Sequence, residues 1–302
     1  MRPSRPRRFE KLVHLSLIGA ALVSVATTIG IVLSFVPPNL EFFRQVPPLD
    51  FLLGTNWAPT FTPSSFGVLP LVSATLTITL IAMIVAAPLG LSTALYLSEY
   101  AHPRLRRWLK PILEILAGIP TVVFGFFALE FVTPLLRDIL APFFDGELPE
   151  IFNALSAALV MGIMIIPTIA SLSEDAMAAV PNALRQGAYA LGSTKRQVST
   201  KVVVPAAFSG ITAAFVLGIS RAVGETMIVA VAAGQRPNLT WNPLEGMQTM
   251  TGFIAAIGQG DVPVGSLEYD TIFAVGLLLF VATFIMNIFS IRLVRRFREV
   301  YE

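Results

Sequence analysis

The 302-residue chain is 55% hydrophobic and 13% charged, with a mean hydropathy of +0.74 and a net charge of +2. Soluble domains are about 25% charged, so most of this surface is built to face something other than water. Two histidines and no cysteine exclude disulfides, thiolate-held metals, iron–sulfur clusters and thiol catalysis, and argue against a histidine metal site.

A membrane-crossing helix takes roughly 20 mainly apolar residues. In chain order six runs meet that measure: about Leu12–Val36, Leu69–Leu97, Pro111–Leu136, Ile151–Leu172, Val202–Ala233 and Thr271–Leu293. The first is longer than the apolar core of a cleaved signal peptide, about 7–15 residues, and lacks a small-x-small cleavage site. It reads as a retained span. Pro88, Pro120, Pro134 and Pro167 interrupt the runs, and the carbonyls they free need neighbouring helices or a wet cavity. The expected fold is all-α: a polytopic bundle of six transmembrane helices forming a single domain, 1–302, with an aqueous path.

The basic residues cluster on one side of these spans. They precede the first (Arg2, Arg5, Arg7, Arg8, Lys11) and follow the second (Arg104, Arg106, Arg107, Lys110). Others lie between the fourth and fifth (Arg185, Lys195, Arg196, Lys201) and at the C-terminus (Arg292, Arg295, Arg296, Arg298). The opposite loops hold only Arg44, Arg137 and Arg236. The positive-inside rule makes both termini cytoplasmic, as an even number of spans requires. These small clusters beside apolar runs do not make a nucleic-acid surface. Among the outer loops, 37–67 carries Phe42, Phe43, Phe51 and Trp57, and 234–270 carries Trp241, Glu245, Asp261 and Glu268. Long aromatic loops of this kind suit a surface that meets a partner.

The cytoplasmic segment 181–205 has its own design. Pro181-Asn182 opens a turn, Ala183–Leu191 favours helix, and Gly192 can take the left-handed conformation that ends one. Thr194-x-x-Gln197 is a capping box for a second short helix. The knob's apolar side (Ala188, Leu191, Val198) suits a partner's groove, and Arg185, Lys195 and Arg196 an acidic rim. An amphipathic helix lying on the membrane is the other reading, and physics alone leaves both open.

Within the fifth run, Arg221 and Glu225 stand four apart, where a continuous helix would let them pair. Gly210, Ala214, Gly218 and Ala222 make a small-residue ridge beside them for close helix approach. Ionisable groups in a span are costly and tend to be functional. The arginine fork suits phosphate oxygens. Glu225 would hold Arg221 until substrate arrives or accept its proton, unless the pair only fixes packing. Glu114 is expected to be satisfied near Lys110, and Glu130 has no assigned role. No Gly-Lys dipeptide, hence no nucleotide-binding phosphate loop, occurs in the chain. Gly218–Ala222 is a near miss for G-x-S-x-G without the last glycine or a nearby histidine. The chain is expected not to be an enzyme.

Gln186–Pro205 resembles the EAA loop of ABC-importer permeases: E-A-A, three residues, Gly, nine residues, then I-x-L-P. Gln186, Gly187 and Ala188 stand for E-A-A, Gly192 for the glycine, Val202 and Val204 for the apolar pair, and Pro205 for the proline. Every spacing is kept; Gln for Glu, Gly for Ala and the two valines depart from the pattern. The resemblance implies the type I importer permease fold. It makes 181–205 the coupling segment seated in a cytoplasmic ATPase, with Lys195 and Arg196 among the docking residues. Ser220–Thr226, S-R-A-x-G-E-T, is similar to a motif of the phosphate-importer permeases, as are stretches within 66–123. The long first outer loop points to the PstC type. That likeness implies inorganic phosphate moving past Ser220, Arg221, Glu225 and Thr226. It also implies a second permease subunit of the PstA type, two ATPase subunits of the PstB type and an extracytoplasmic binding protein of the PstS type. ATP and magnesium would reside on the ATPases, with no cofactor in this chain, and the assembly would sit in the plasma membrane or bacterial inner membrane. Sulfate and molybdate permeases carry related motifs, and a proton-coupled secondary anion transporter is the reading from another class.

Overall fold

The computed structural model describes residues 8–142, 149–260 and 262–296. Arg2, Arg5, Arg7, Asp261 and Arg298 lie outside the described residues, as do the side chains of Arg8, Arg295 and Arg296.

The chain is helical almost throughout. Helix α1 (Arg8–Ser34) leads into α2 (Val36–Gln45) and α3 (Pro48–Leu53). The two-residue strands β1 (Trp57–Ala58) and β2 (Ser65–Phe66) pair antiparallel before α4 (Leu69–Leu95). A wide-turn extension of α4, Tyr96–Tyr100, leads to α5 (Pro103–Ala117). Helices α6 (Thr121–Phe127) and α7 (Thr133–Leu140) are joined by another wide turn, and α8 (Ala154–Ala178) follows. Next come α9 (Asn182–Ala190), α10 (Lys195–Val198), α11 (Val204–Ala206) and α12 (Phe208–Val223). The chain closes with α13 (Met250–Gly258) and α14 (Leu267–Arg296).

Among the described residues four helical stretches are long and apolar enough to cross a membrane: Glu10–Gln45, Leu69–Tyr100, Ala154–Ala178 and Leu267–Arg292. Two bent pairs raise the number to six if each is one span. Pro103–Ala117 meets Thr121–Leu140 at 87°, and Lys195–Ala206 meets Phe208–Val223 at 71°. The third run is therefore not one straight helix: Pro111 lies in α5, which is sharply bent against Thr121–Leu140. The physical cause is the Gly118–Pro120 break, where Pro120 has no N–H to continue the ladder. In the fifth run the bend falls at Ala207.

Helices α4 and α8 form the centre of the bundle, and small residues allow it. Ala82 and Ala86 of α4 are buried in one cluster with Ala157 and Ala158 of α8, and Gly90 and Gly162 sit at the contact between the two helices. A Cβ on Gly162 would stand 2.9 Å from the Ala82 carbonyl oxygen, and one on Gly90 2.8 Å from an Ile169 methyl. The expected ridge on α12 packs here too. A Cβ on Gly210 would come within 2.4 Å of the Ala176 side chain, and Ala214 and Ala222 are buried. Without a hydrophobic drive in lipid, close van der Waals contact of this kind is what holds helices together.

The aromatic first outer loop is not a free surface. Phe42, Phe51 and Trp57 are fully buried in a second core. The Trp57 ring meets Phe253 of α13 edge to face at 4.9 Å, and Phe42 packs against Phe43, Phe51 and Phe66. These rings staple the loop to α13 and α14 because burying their area outweighs presenting it to a partner. Trp241, by contrast, is exposed.

Candidate functional site

Two places matter: the segment between α8 and α12, and the interior where α12 crosses α8. In the first, Gly192 has φ +79°, the left-handed region that costs another L-residue about 1–2 kcal/mol. Its N–H donates to the Tyr189 carbonyl at 2.9 Å, and that of Ser193 to the Ala188 carbonyl at 3.1 Å. Together they close α9 as a Schellman motif. Two residues later the capping box forms as expected. The Gln197 N–H donates to the Thr194 hydroxyl, and the Thr194 N–H donates to the Gln197 side chain at 2.8 Å. The result is two short helices meeting at a rigid corner.

Its two faces differ from the expected division. Leu191 is 89% exposed at the tip, and Gln186, Gly187, Arg196 and Pro205 are exposed with it. Gly187 has open space where a Cβ would stand. Val198 and Val203 are buried in the chain's own third core, with Ala188, Val204 and Ala207 beside them, while Val202 is half-buried. Val198 thus anchors the knob instead of entering a partner. Lys195 lies over the Tyr100 ring, 5.0 Å from its centroid.

Arg185 also turns inward. It pairs with Glu99 at 3.0 Å, donates to the Met177 carbonyl at 2.8 Å, and bonds the Val180 carbonyl. These contacts cap the exposed carbonyls at the end of α8 and tie α9 to the end of α4. An arginine fork satisfies several acceptors at once, so little is left for an acidic partner rim. At the same end, Glu174 is almost fully buried between Arg106 and Lys110, with Lys110 at 2.9 Å and also 2.6 Å from Asp175. Lys110 therefore pairs with α8 and not with Glu114. Arg185 thus ties the knob to the ends of α4 and α8, while Arg106 and Lys110 tie α5 to α8.

In the second place, Arg221 and Glu225 are not paired among the described residues. Helix α12 ends at Val223, and Gly224 caps it by donating to the Ser220 carbonyl at 3.2 Å. The chain then turns, so positions four apart no longer share a helix face. Glu225 begins the next helical stretch, accepting from the N–H groups of Met227 at 3.1 Å and Ile228 at 3.3 Å. A carboxylate at a helix N-terminus is stabilised by those orphan donors and by the helix dipole. Its own carbonyl accepts from the Thr251 hydroxyl at 2.6 Å, joining α13 to the bend.

Arg221 instead donates to the Thr168 hydroxyl of α8 at 3.1 Å. No carboxylate lies within ion-pair distance among the described residues. At 1.5 Å per residue, Thr168 stands about 15 Å from the Ala178 end of α8 and about 21 Å from the Ala154 end. Among the described residues Ser220 keeps a buried hydroxyl without a partner, and the Thr226 hydroxyl donates to the Gly224 carbonyl. Arg221 is thus a half-buried guanidinium with spare donors and no counter-charge among the described residues, and a planar fork of this kind suits the oxygens of an anion.

On the face opposite the knob, a cavity of about 650 Å³ is lined by Arg137, Glu150, Arg236 and Gly246. Glu150 spans it, pairing with Arg236 at 2.8 Å and accepting from the Gly246 N–H at 2.8 Å. Glu130 lines an adjoining cavity with Arg137 and Asp138. Sequence reasoning missed Glu99, Thr168, Glu174 and Asp175 as partners. The signal for Glu99 was its isolation, the one acidic residue between Phe51 and Leu113; no signal in the sequence marked Thr168.

Comparison with known proteins agrees with this architecture. The family model described as "binding-protein-dependent transport system inner membrane component" matches residues 86–299. The chain is 36% identical over 267 residues to a probable ABC transporter permease protein, YqgH, of Bacillus subtilis, covering 88% of this chain and 84% of that one. It is 32% identical over 298 residues to the phosphate transport system permease protein PstC of Xylella fastidiosa, covering 94% and 89%. Among solved structures, a bacterial alginate ABC transporter in complex with its periplasmic protein superposes with a TM-score of 0.66 at 16% identity, covering 96% of each chain. The MetNI methionine ABC transporter in an inward-facing form gives 0.55 at 20% identity, covering 77% of this chain and 95% of that one. These two likenesses concern the fold. The chain is thus a multi-pass, non-catalytic permease subunit of a binding-protein-dependent ABC importer, and it belongs to the family of binding-protein-dependent transport system inner membrane components.

Proposed function

We propose that the chain is the PstC-type permease of an ATP-driven importer of inorganic phosphate. The observation that carries the reading is Arg221, a guanidinium held by Thr168 with no carboxylate partner among the described residues. Relatives named as phosphate permeases over most of the chain support the same substrate. In this reading phosphate oxygens take the free donors of Arg221, with the Ser220 and Thr226 hydroxyls beside them. Glu225 shapes the bend that presents them. A fixed cation lowers the barrier for an anion that must shed water in a low-dielectric interior.

The segment 181–205 is read as the coupling element on the cytoplasmic face, with both termini on that side. Gln186, Gly187, Leu191 and Arg196 offer the exposed contact for an ATPase of the PstB type, which binds the ATP and magnesium. Gly192, Val202, Val204 and Pro205 hold its shape. Motion of the knob passes through Arg185 to Glu99 at the end of α4 and to the Met177 carbonyl of α8, and so to Thr168 and Arg221. A PstA-type permease completes the pathway, and a PstS-type binding protein delivers phosphate on the opposite face. The test is uptake of radiolabelled phosphate, with phosphate-stimulated ATPase activity, by the co-expressed and reconstituted assembly. Phosphate is expected to drive both, with sulfate and molybdate neither substituting nor competing. Stimulation by sulfate or molybdate in place of phosphate overturns the substrate.

A further inference from the structure

Helix α5 carries an apolar stripe that none of the described residues covers. Leu105, Trp108, Ile112 and Ile115 fall at helical spacing on one face; Trp108 is 74% and Ile115 69% exposed. The opposite face is tied to α8 through Arg106 and Lys110, which fixes the helix at the knob's end of the bundle. Its axis stands at 87° to Thr121–Leu140. If that neighbour crosses the bilayer, α5 lies along the membrane surface.

Charge and shape then say what covers the stripe. Arg104 and Arg107 border it, and their side chains have no acidic partner among the described residues. Arg107 also lines a cavity of about 520 Å³ between α5 and the end of α4, where Arg106 and Lys110 add positive charge and Glu114 supplies the single carboxylate in the wall. Tryptophan beside arginine, above an apolar stripe, matches the boundary between headgroups and acyl chains. We infer that α5 is an interfacial helix that holds an anionic phospholipid, its phosphate between Arg104 and Arg107 and its acyl chain along Trp108, Ile112 and Ile115. Because α5 grips the end of α8 immediately before the knob, the lipid is placed to steady the coupling segment. The inference rests on the chain's membrane-spanning character and is independent of which anion is carried.

The chain has no cysteine, so one introduced cysteine reports one position. Ile112→Cys is assembled with cysteine-free partner subunits, reconstituted in bilayers of phosphatidylcholine and phosphatidylglycerol, and checked for retained ATPase activity. Ile115→Cys serves if the first variant fails to assemble. A nitroxide at the site is expected to be accessible to oxygen and protected from a water-soluble nickel reagent. Protection from both means a protein subunit covers the stripe, and exposure to nickel means water does; either result overturns the proposal. With a fluorophore at the same site, brominated phosphatidylglycerol should quench more strongly than brominated phosphatidylcholine at equal mole fraction. That preference should be lost in Arg104→Gln/Arg107→Gln. Equal quenching before the arginines are changed overturns the headgroup site.

Discussion

The guanidinium of Arg221 and the carboxylate of Glu225 stand four positions apart yet serve different masters, and their substitutions should separate cleanly. Arg221→Gln removes the charge that would hold phosphate. Charge-assisted hydrogen bonds contribute about 1.5–3 kcal/mol each, so losing two should lower phosphate uptake at least about 100-fold. Assembly should persist, because Gln can still bond Thr168. Glu225→Ala instead removes a helix cap, which costs about 1 kcal/mol. Thermal unfolding of the assembled complex should reveal that loss, while Glu225→Gln retains an acceptor and most of the uptake. The charge swap Arg221→Glu with Glu225→Arg should restore nothing, since no pair exists to restore. Recovery of uptake in the swapped protein would show that the two side chains do meet during transport. Residue identities were legible in the sequence here, but their pairing was not. The four-residue rule holds only along an unbroken helix, and whether Gly224 would end α12 depended on the N–H donors that Glu225 could reach beyond it.

At the scale of elements, the shape of the segment 181–205 was legible almost to the residue because its geometry is local. A left-handed glycine, a capping box and a proline each act within a few positions, and each formed where the spacing placed it. Arg185 and Val198 were misread because their partners come from Glu99, Met177 and buried residues far away in sequence. The bent third run escaped for a related reason: a hydropathy window adds α5 to α6 without seeing that Arg106 and Lys110 pull α5 sideways onto α8. Two predictions follow from these contacts. Gly192→Ala should cost about 1–2 kcal/mol at the corner, weakening copurification of the ATPase while α4 and α8 stay packed. Glu99→Gln leaves Arg185 without its counter-charge and should cut transport more than it cuts ATPase binding, because it loosens the link from the knob to α4. If binding and transport fall in parallel, the Arg185–Glu99 pair merely builds the docking surface.

For the whole molecule, the proposed reading has one chain supply only part of a transport path. Helices α4, α8 and α12 bury one another, whereas the side chains of α1 from Glu10 to Ser34 are almost wholly exposed. Arg221 is likewise only half-buried. In the proposed reading its open side needs a polar cover, since a charge facing hydrocarbon costs about 2.5–3.5 kcal/mol even on the mildest scale, and a second permease would supply it. The knob's exposed Leu191 has the same place in that reading at the other end, as the contact for a nucleotide-binding subunit. The class of molecule was legible in the sequence because hydropathy is additive along the chain, but which faces remain open is a property of packing. The expected consequence is strict dependence on partners. Reconstituted alone in liposomes, the chain should not accumulate phosphate under a proton gradient, and ATP should make no difference. Reconstituted with its second permease, ATPases and binding protein, it should accumulate phosphate only with ATP, and Arg221→Gln should abolish that accumulation without dissolving the complex. Gradient-driven uptake by the lone chain would instead require that one copy, or several identical copies, enclose Arg221 and power transport without a nucleotide, and the importer reading would fall with it.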